Sequence, residues 1–211
     1  MTISLDKNDF VTLEKSRQII VGLGWEESHD GDTDFDLDVS AFLLSSDNKV
    51  RRAMDMIFYG NLNWKWDEEK KNKLLDIMNV GVVHRGDDQS GRGEVDDIIE
   101  LNGKKDNEQI FIETDKIPSD IQKIVFTVTI YDYVARVQNF GQMSNAYIRI
   151  IDRSKKEVLA SFDLKEDYST KTAIIAGALV RESGEWSFQA IGEGREGGLL
   201  ELCYEYGVNV K

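Results

Sequence analysis

Period-two alternation dominates the chain. Between positions 35 and 44, Phe35, Leu37, Val39 and Ala41 share one face while Asp36, Asp38 and Ser40 share the other, the signature of a strand. Residues 124–131 alternate Ile124, Phe126, Val128 and Ile130 against Val125, Thr127, Thr129 and Tyr131, so both faces tolerate burial and a central strand is expected. Shorter runs at 18–23 and 56–59 read as further strands. Residues 146–151 and 157–163 read as a strand pair around the polar turn 152–156. Residues 172–180 and 186–191 read as a hairpin turned at 182–185, where Gly184 supplies a permissive backbone. Three helices are predicted. One spans 67–79 with Leu74, Leu75 and Met78 as its apolar side, one spans 133–140, and one spans 198–206 with Leu199, Leu202, Cys203 and Tyr206 at helical spacing. Many short strands with small helices between them predict an all-β chain folded as a β-sandwich. The pattern does not fix which strands pair.

Composition narrows this picture. The chain has 211 residues, a single proline (Pro118) and no Pro/Ser-rich linker, so residues 1–211 are read as one domain. A formal net charge of −13 repels nucleic-acid backbones and anionic lipid, and attracts cations and basic proteins. With one cysteine, Cys203, neither an internal disulfide nor a thiolate zinc site is possible, and its apolar setting predicts a buried small hydrophobe. The opening residues carry no basic stretch followed by an apolar one, and no apolar run approaches ~20 residues. A reducing cytoplasm is the expected setting.

The candidate chemistry lies in two acidic segments. Asp30, Asp32, Asp34, Asp36 and Asp38 alternate along one, and the loop 86–97 carries Asp87, Asp88, Glu94, Asp96 and Asp97 against one arginine, Arg92. Calcium takes roughly 6–8 oxygens at about 2.3–2.6 Å, which needs carboxylates for charge and a chain that curls to present carbonyls. Gly86, Gly91 and Gly93 permit that curl. On a strand Asp36 and Asp38 point to one side, roughly 6.5–7 Å apart, and reach one ion or two adjacent ions. The first segment is not an EF-hand. Counted from Asp32, its sixth position is Leu37 in place of glycine and its twelfth is Leu43 in place of glutamate. Crowded carboxylates without lysines repel one another unless a cation or solvent screens them.

Other features point to packing. His29 and His84 are the only histidines; His84 precedes the acidic loop, but a packing role is the simpler reading. Residues 192–198 are glycine-rich yet lack the Gly-Lys-Ser/Thr of a phosphate loop, and Glu193 and Glu196 oppose an anion. The tryptophans Trp25, Trp64, Trp66 and Trp186 read as packing residues, with Trp64 and Trp66 placed to meet a partner. No Ser-His-Asp or Cys-His nucleophile set is visible.

The chain resembles the tellurium-resistance TerD family. The resemblance rests on Val-Gly-Leu-Gly-Trp at 21–25, Phe-Asp-Leu-Asp-Val-Ser-Ala-Phe-Leu-Leu at 35–44 and His-Arg-Gly-Asp-Asp at 84–88. It continues through Gly-Arg-Gly-Glu from 91, Val-Thr-Ile-Tyr-Asp at 128–132, Gly-Glu-Trp-Ser-Phe at 184–188 and Ile-Gly-Glu-Gly at 191–194. It implies two antiparallel sheets and two neighbouring calcium ions held by the acidic loop. Carried residue by residue, it implies Asp36, Asp38, Asp87, Asp88, Glu94, Asp96 and Asp97 as side-chain ligands, Gly91 and Gly93 as carbonyl ligands, and Glu193 as an additional ligand. It implies a cytoplasmic, non-catalytic stress-response module working with other proteins of a complex, with membrane association only through those partners. Val95 and Ile98 depart from the family pattern of glycine and acid, which predicts weaker binding at that end of the loop. Residues 67–80 are longer than in common members, and 101–108 reads as an added polar turn. The competing reading is a hydrolase acting on phosphoesters through two metal ions.

Overall fold

The computed structural model describes residues 3–13, 16–25, 35–67, 72–75, 77–89, 98–143, 146–164 and 168–210. Within them the strands are β1 (Ile3–Ser4), β2 (Phe10–Thr12), β3 (Gln18–Gly24), β4 (Leu37–Leu44), β5 (Met56–Ile57), β6 (Trp64–Asp67) and β7 (Asn72–Leu75). They continue with β8 (Val82–His84), β9 (Glu108–Glu113), β10 (Lys123–Ile130), β11 (Tyr147–Asp152), β12 (Glu157–Asp163), β13 (Ala173–Glu182) and β14 (Glu185–Arg195). The helices are α1 (Tyr133–Arg136) and α2 (Gly198–Tyr206).

β6 with β7 forms a separate pair, and the other twelve strands form two six-stranded sheets. One runs β1-β12-β11-β3-β9-β8 and the other β2-β14-β13-β10-β4-β5. Every pairing is antiparallel except β1 with β12. The predicted sandwich is therefore present. The sheets bury the odd-numbered face of β4 (Leu37, Val39, Ala41, Leu43) against residues such as Val21, Ile110, Phe126 and Phe188. β10 lies between β4 and β13, with Val128 opposite Val39 and Ile174. Its β-branched and aromatic residues suit a strand covered on both faces. At Gly177 the Phe188 ring leaves no space for a side chain, since a Cβ there would sit 2.4 Å from it.

The even-numbered face of β4 is divided. Phe42 and Leu44 lie under α2, packed with Leu202, Cys203 and Tyr206. Burying each such side chain stabilises by roughly 1.5–3 kcal/mol, which is what holds a nine-residue helix in place. The other end of that face carries Asp36, Asp38 and Ser40, all buried.

Three predicted elements differ. Where the helix is predicted over 67–79, the described residues include strand instead: β6 and β7 pair antiparallel, with Trp64 opposite Leu75 and Asp67 opposite Asn72. The Glu/Lys/Leu content of this stretch favours helix, but pairing with an aromatic strand overrides it. Buried Asn63 anchors the base: its backbone carbonyl accepts from Ile77 N, its Oδ1 accepts from Met78 N at 2.8 Å, and its Nδ2 donates to Val82 O. The helix predicted at 133–140 stops at Arg136, because Val137 turns left-handed. Asn139 then starts a separate 3-10 turn, Phe140–Gln142, by capping it. The polar turn expected at 101–108 ends sooner, since Glu108 already belongs to β9.

Candidate metal centre

β4 delivers the first two carboxylates. Asp36 precedes the strand and is fixed by its own carbonyl, which accepts Tyr131 N–H at 2.9 Å. Asp38 stands opposite Thr129 of β10. The third carboxylate arrives on the segment after β8. There Gly86 adopts φ +149, a backbone state that favours glycine, and the chain turns to place Asp87 beside β4. Ligand oxygens of Asp36, Asp38 and Asp87 all lie within 4.8 Å of one another. Asp36 Oδ1 and Asp87 Oδ1 are buried with no hydrogen-bond partner among the described residues. Buried polar atoms are nearly always paired, so two orphaned acceptors within one cluster of three carboxylates ask for a cation.

The electrostatics agree. Burial pushes the Asp36 carboxyl up to about 6; Arg136 opposes this, while Asp87 and Asp88 add to it. Burial pushes Asp38 up to about 9, reinforced by Glu108, Asp36 and Asp87. Like charges crowded in a low-dielectric place favour the neutral form of each. A divalent ion would relieve the same repulsion without protons. The donor set is all oxygen, which fits a hard cation.

A layer beneath holds the loop to the strand. Glu108 is fully buried at the start of β9, opposite Leu23 of β3. Its Oε2 accepts Val39 N–H at 2.7 Å and its Oε1 accepts Asp88 N–H at 3.2 Å. One side chain of the first sheet thereby ties the second sheet to the acidic loop. This works because β5 pairs with only Ala41 and Phe42, so Val39 N–H has no strand neighbour. Burial raises the Glu108 pKa well above the ordinary value. Asn107 adds a second tie: its Oδ1 accepts Trp25 N–H at 2.9 Å and its Nδ2 donates to Asp88 Oδ2 at 3.2 Å. Neither residue stood out in the sequence. Their role depends on the register of β9 against β3, which no local pattern records.

His84 is buried, and its pKa is lowered to about 4 by that burial, so the ring is neutral near pH 7. Its Nδ1 accepts Gly86 N–H at 3.3 Å, which places the proton on Nε2, 3.6 Å from Glu108. This is packing, in keeping with the simpler expectation.

The remaining expected ligands fall in three groups. Asp88 is buried near the cluster, but its carboxylate faces Asn107 and is not one of the three converging groups. Glu193 lies on β14, half-exposed and paired with Arg195 at 3.2 Å, outside the cluster. Strand β14 extends further than the glycine-rich run suggests and carries Glu193 into register with Ile175. Gly91, Gly93, Glu94, Asp96 and Asp97 lie outside the described residues, as do His29, Asp30, Asp32 and Asp34.

A cleft of about 380 Å³ opens beside Asp38, walled by Tyr59, Tyr131, Tyr133, Val134 and Leu200. Among the described residues no helix is long and apolar enough to cross a membrane.

Comparison with known proteins places this geometry in a family. A profile described as "TerD domain" matches residues 1–206. The chain is 41% identical over 213 residues to the "Tellurium resistance protein TerD" of Serratia marcescens, covering 99% of each. It is 43% identical over 215 residues to "General stress protein 16U" of Bacillus subtilis, covering all of both. A solved homologue of telluride resistance protein from Streptomyces coelicolor superposes with a TM-score of 0.63 at 15% identity, covering 88% of this chain and 94% of that one, and so speaks for the fold alone. The chain belongs to the TerD family of tellurium-resistance and stress-response proteins.

Proposed function

We propose that this protein is a calcium-binding module of the stress response, acting without catalysis of its own as a binding or scaffold component of a cytoplasmic multi-protein complex. The observation that carries the reading is the convergence of Asp36, Asp38 and Asp87, with Asp36 Oδ1 and Asp87 Oδ1 buried and without a hydrogen-bond partner among the described residues. The named relatives, a tellurium-resistance protein and a general stress protein, support the physiological half. Asp36, Asp38 and Asp87 would hold one ion. Gly91, Gly93, Glu94, Asp96 and Asp97 are the proposed source of the remaining oxygens and of a second ion. When bound, calcium supplies positive charge that lets these carboxylates stay ionised at close range. Glu108 and Asn107 keep the loop against β4 so that the carboxylates are already gathered when the ion arrives. The cleft beside Asp38 leaves a side from which water or a partner's oxygen can complete the coordination.

Isothermal titration tests this directly. Calcium is expected to bind more tightly than magnesium, because a flexible oxygen cage with many ligands favours the larger ion. Asp38→Asn and Asp87→Asn should each remove most of the affinity. Equal affinity for magnesium, or no heat with calcium up to millimolar concentrations, refutes the calcium assignment. A chelator-sensitive association in a defined pair of purified proteins would test the scaffold role.

A further inference from the structure

The turn that carries Arg136 is costly to make. Helix α1 is one turn long and is entered and left through left-handed residues, Asp132 at φ 48 and Val137 at φ 54. For a β-branched residue that backbone state is unfavourable. Burial does not compensate at Val134 or Val137, which are 71% and 79% exposed. The turn places a cation beside the cluster. Arg136 Nη2 lies 3.4 Å from Asp36 Oδ2, and its guanidinium stands 5.5 Å from the centre of the Tyr131 ring. Its charge acts on both Asp36 and Asp38 against the effect of their burial.

The contact is longer than the protein's tightest arginine pairs. Arg51 grips Asp55 at 2.7 and 3.0 Å and Asp120 with two oxygens at 2.9 Å. Buried Arg149 holds Asp106 at 2.7 Å. Arg136 reaches Asp36 over a longer distance than these forks, and the other Asp36 oxygen has no hydrogen-bond partner among the described residues. A long contact over a partly paired carboxylate suits a charge that exchanges.

We propose that Arg136 is a resident counter-ion that sets the affinity and valence selectivity of the ion site. In the ion-poor state its single charge offsets Asp36. A divalent cation displaces it because it brings twice the charge to the same oxygens. A monovalent cation gains nothing by the exchange and still loses its hydration. The inference rests on the calcium reading and assigns Arg136 a role outside the ligand set.

The test is calcium titration of the wild-type protein, Arg136→Gln, Arg136→Met and Arg136→Lys, each at low and at high potassium chloride, with the fold of each checked by thermal melting. Removing a unit charge this close to a divalent ion should tighten binding roughly tenfold in the Gln and Met variants at low salt. Potassium should then weaken those two more than it weakens the wild type. Arg136→Lys, which retains the charge, should stay within about threefold of wild type on the same reasoning. Unchanged or weaker binding in both neutral variants overturns the proposal. So does equal tightening in the lysine variant, since charge would then not be the cause. If the wild type itself takes up no calcium, the calcium assignment fails, and that outcome is distinct from the other two.

Discussion

Asn107→Ala should destabilise the protein without touching any proposed ligand. The native amide bridges two elements: it accepts the buried Trp25 N–H and donates to Asp88. Truncation leaves the Trp25 N–H without this acceptor in a place that is 4% exposed, and an orphaned buried donor costs roughly 1–3 kcal/mol. Loss of the Asp88 contact adds roughly 1 kcal/mol. Water entering the space left by the amide recovers part of this, so a net cost near 2 kcal/mol is expected. With a urea slope of about 2 kcal/mol/M, the unfolding midpoint should fall by about 1 M. The assay is urea unfolding followed by tryptophan fluorescence, in chelator so that ion binding does not contribute. Asn107→Asp separates the two bonds. It retains the acceptor for Trp25 but sets a carboxylate against Asp88, so its deficit should shrink when the pH is lowered enough to protonate the pair, whereas that of Asn107→Ala should not. A midpoint for Asn107→Ala within about 0.2 M of wild type would show that this bridge does not support the site.

Three further outcomes follow from the same geometry. Asp36 and Asp38 hold protons in the folded chain up to about pH 6 and about pH 9, against ~4 when unfolded, so the native state binds more protons across that window. Calcium-free stability should therefore decline as pH rises from about 6 to about 9, and should decline less steeply in Asp38→Asn, where Glu108 still titrates, read from urea midpoints; a rising midpoint in the wild type contradicts the assignment. Calcium at a hundredfold excess over its Kd should stabilise the wild type by about 2.7 kcal/mol, and Asp87→Asn should lose most of that gain in a thermal melt. Val137→Asn should raise stability by about 1 kcal/mol, because asparagine accepts the left-handed backbone at φ 54 and the exposed valine forfeits little packing.

Local pattern revealed a good part of this molecule. The alternation at 35–44 showed which face of β4 carries Asp36 and Asp38, and the helical spacing of Leu202, Cys203 and Tyr206 located α2. Both signals are local, because a strand or helix that buries one face repeats with its own period. The pairing of β6 with β7 was hidden because their residues prefer helix in isolation and take strand geometry only through each other. Glu108 and Asn107 were hidden for a related reason. They look like the end of a polar turn, and what they do is decided by Leu23 and Trp25, more than 80 positions away. Glu193 was assigned to the site from a short glycine-rich run, whereas the ladder with β13 continues through it and turns it toward Arg195.

The two-residue length of β5 has a consequence for how copies of this chain meet. Beyond Ala41 the second sheet would end in an open row of backbone groups on β4, the kind of edge on which another chain can add a strand and begin a fibril. Glu108 occupies that row at Val39, and a newcomer strand would have to evict a buried carboxyl group to pair there. The side chain that steadies the acidic loop thus also serves as a barrier to aggregation. Glu108→Ala should show it as faster thioflavin-positive assembly under mildly destabilising conditions, at matched fractions unfolded.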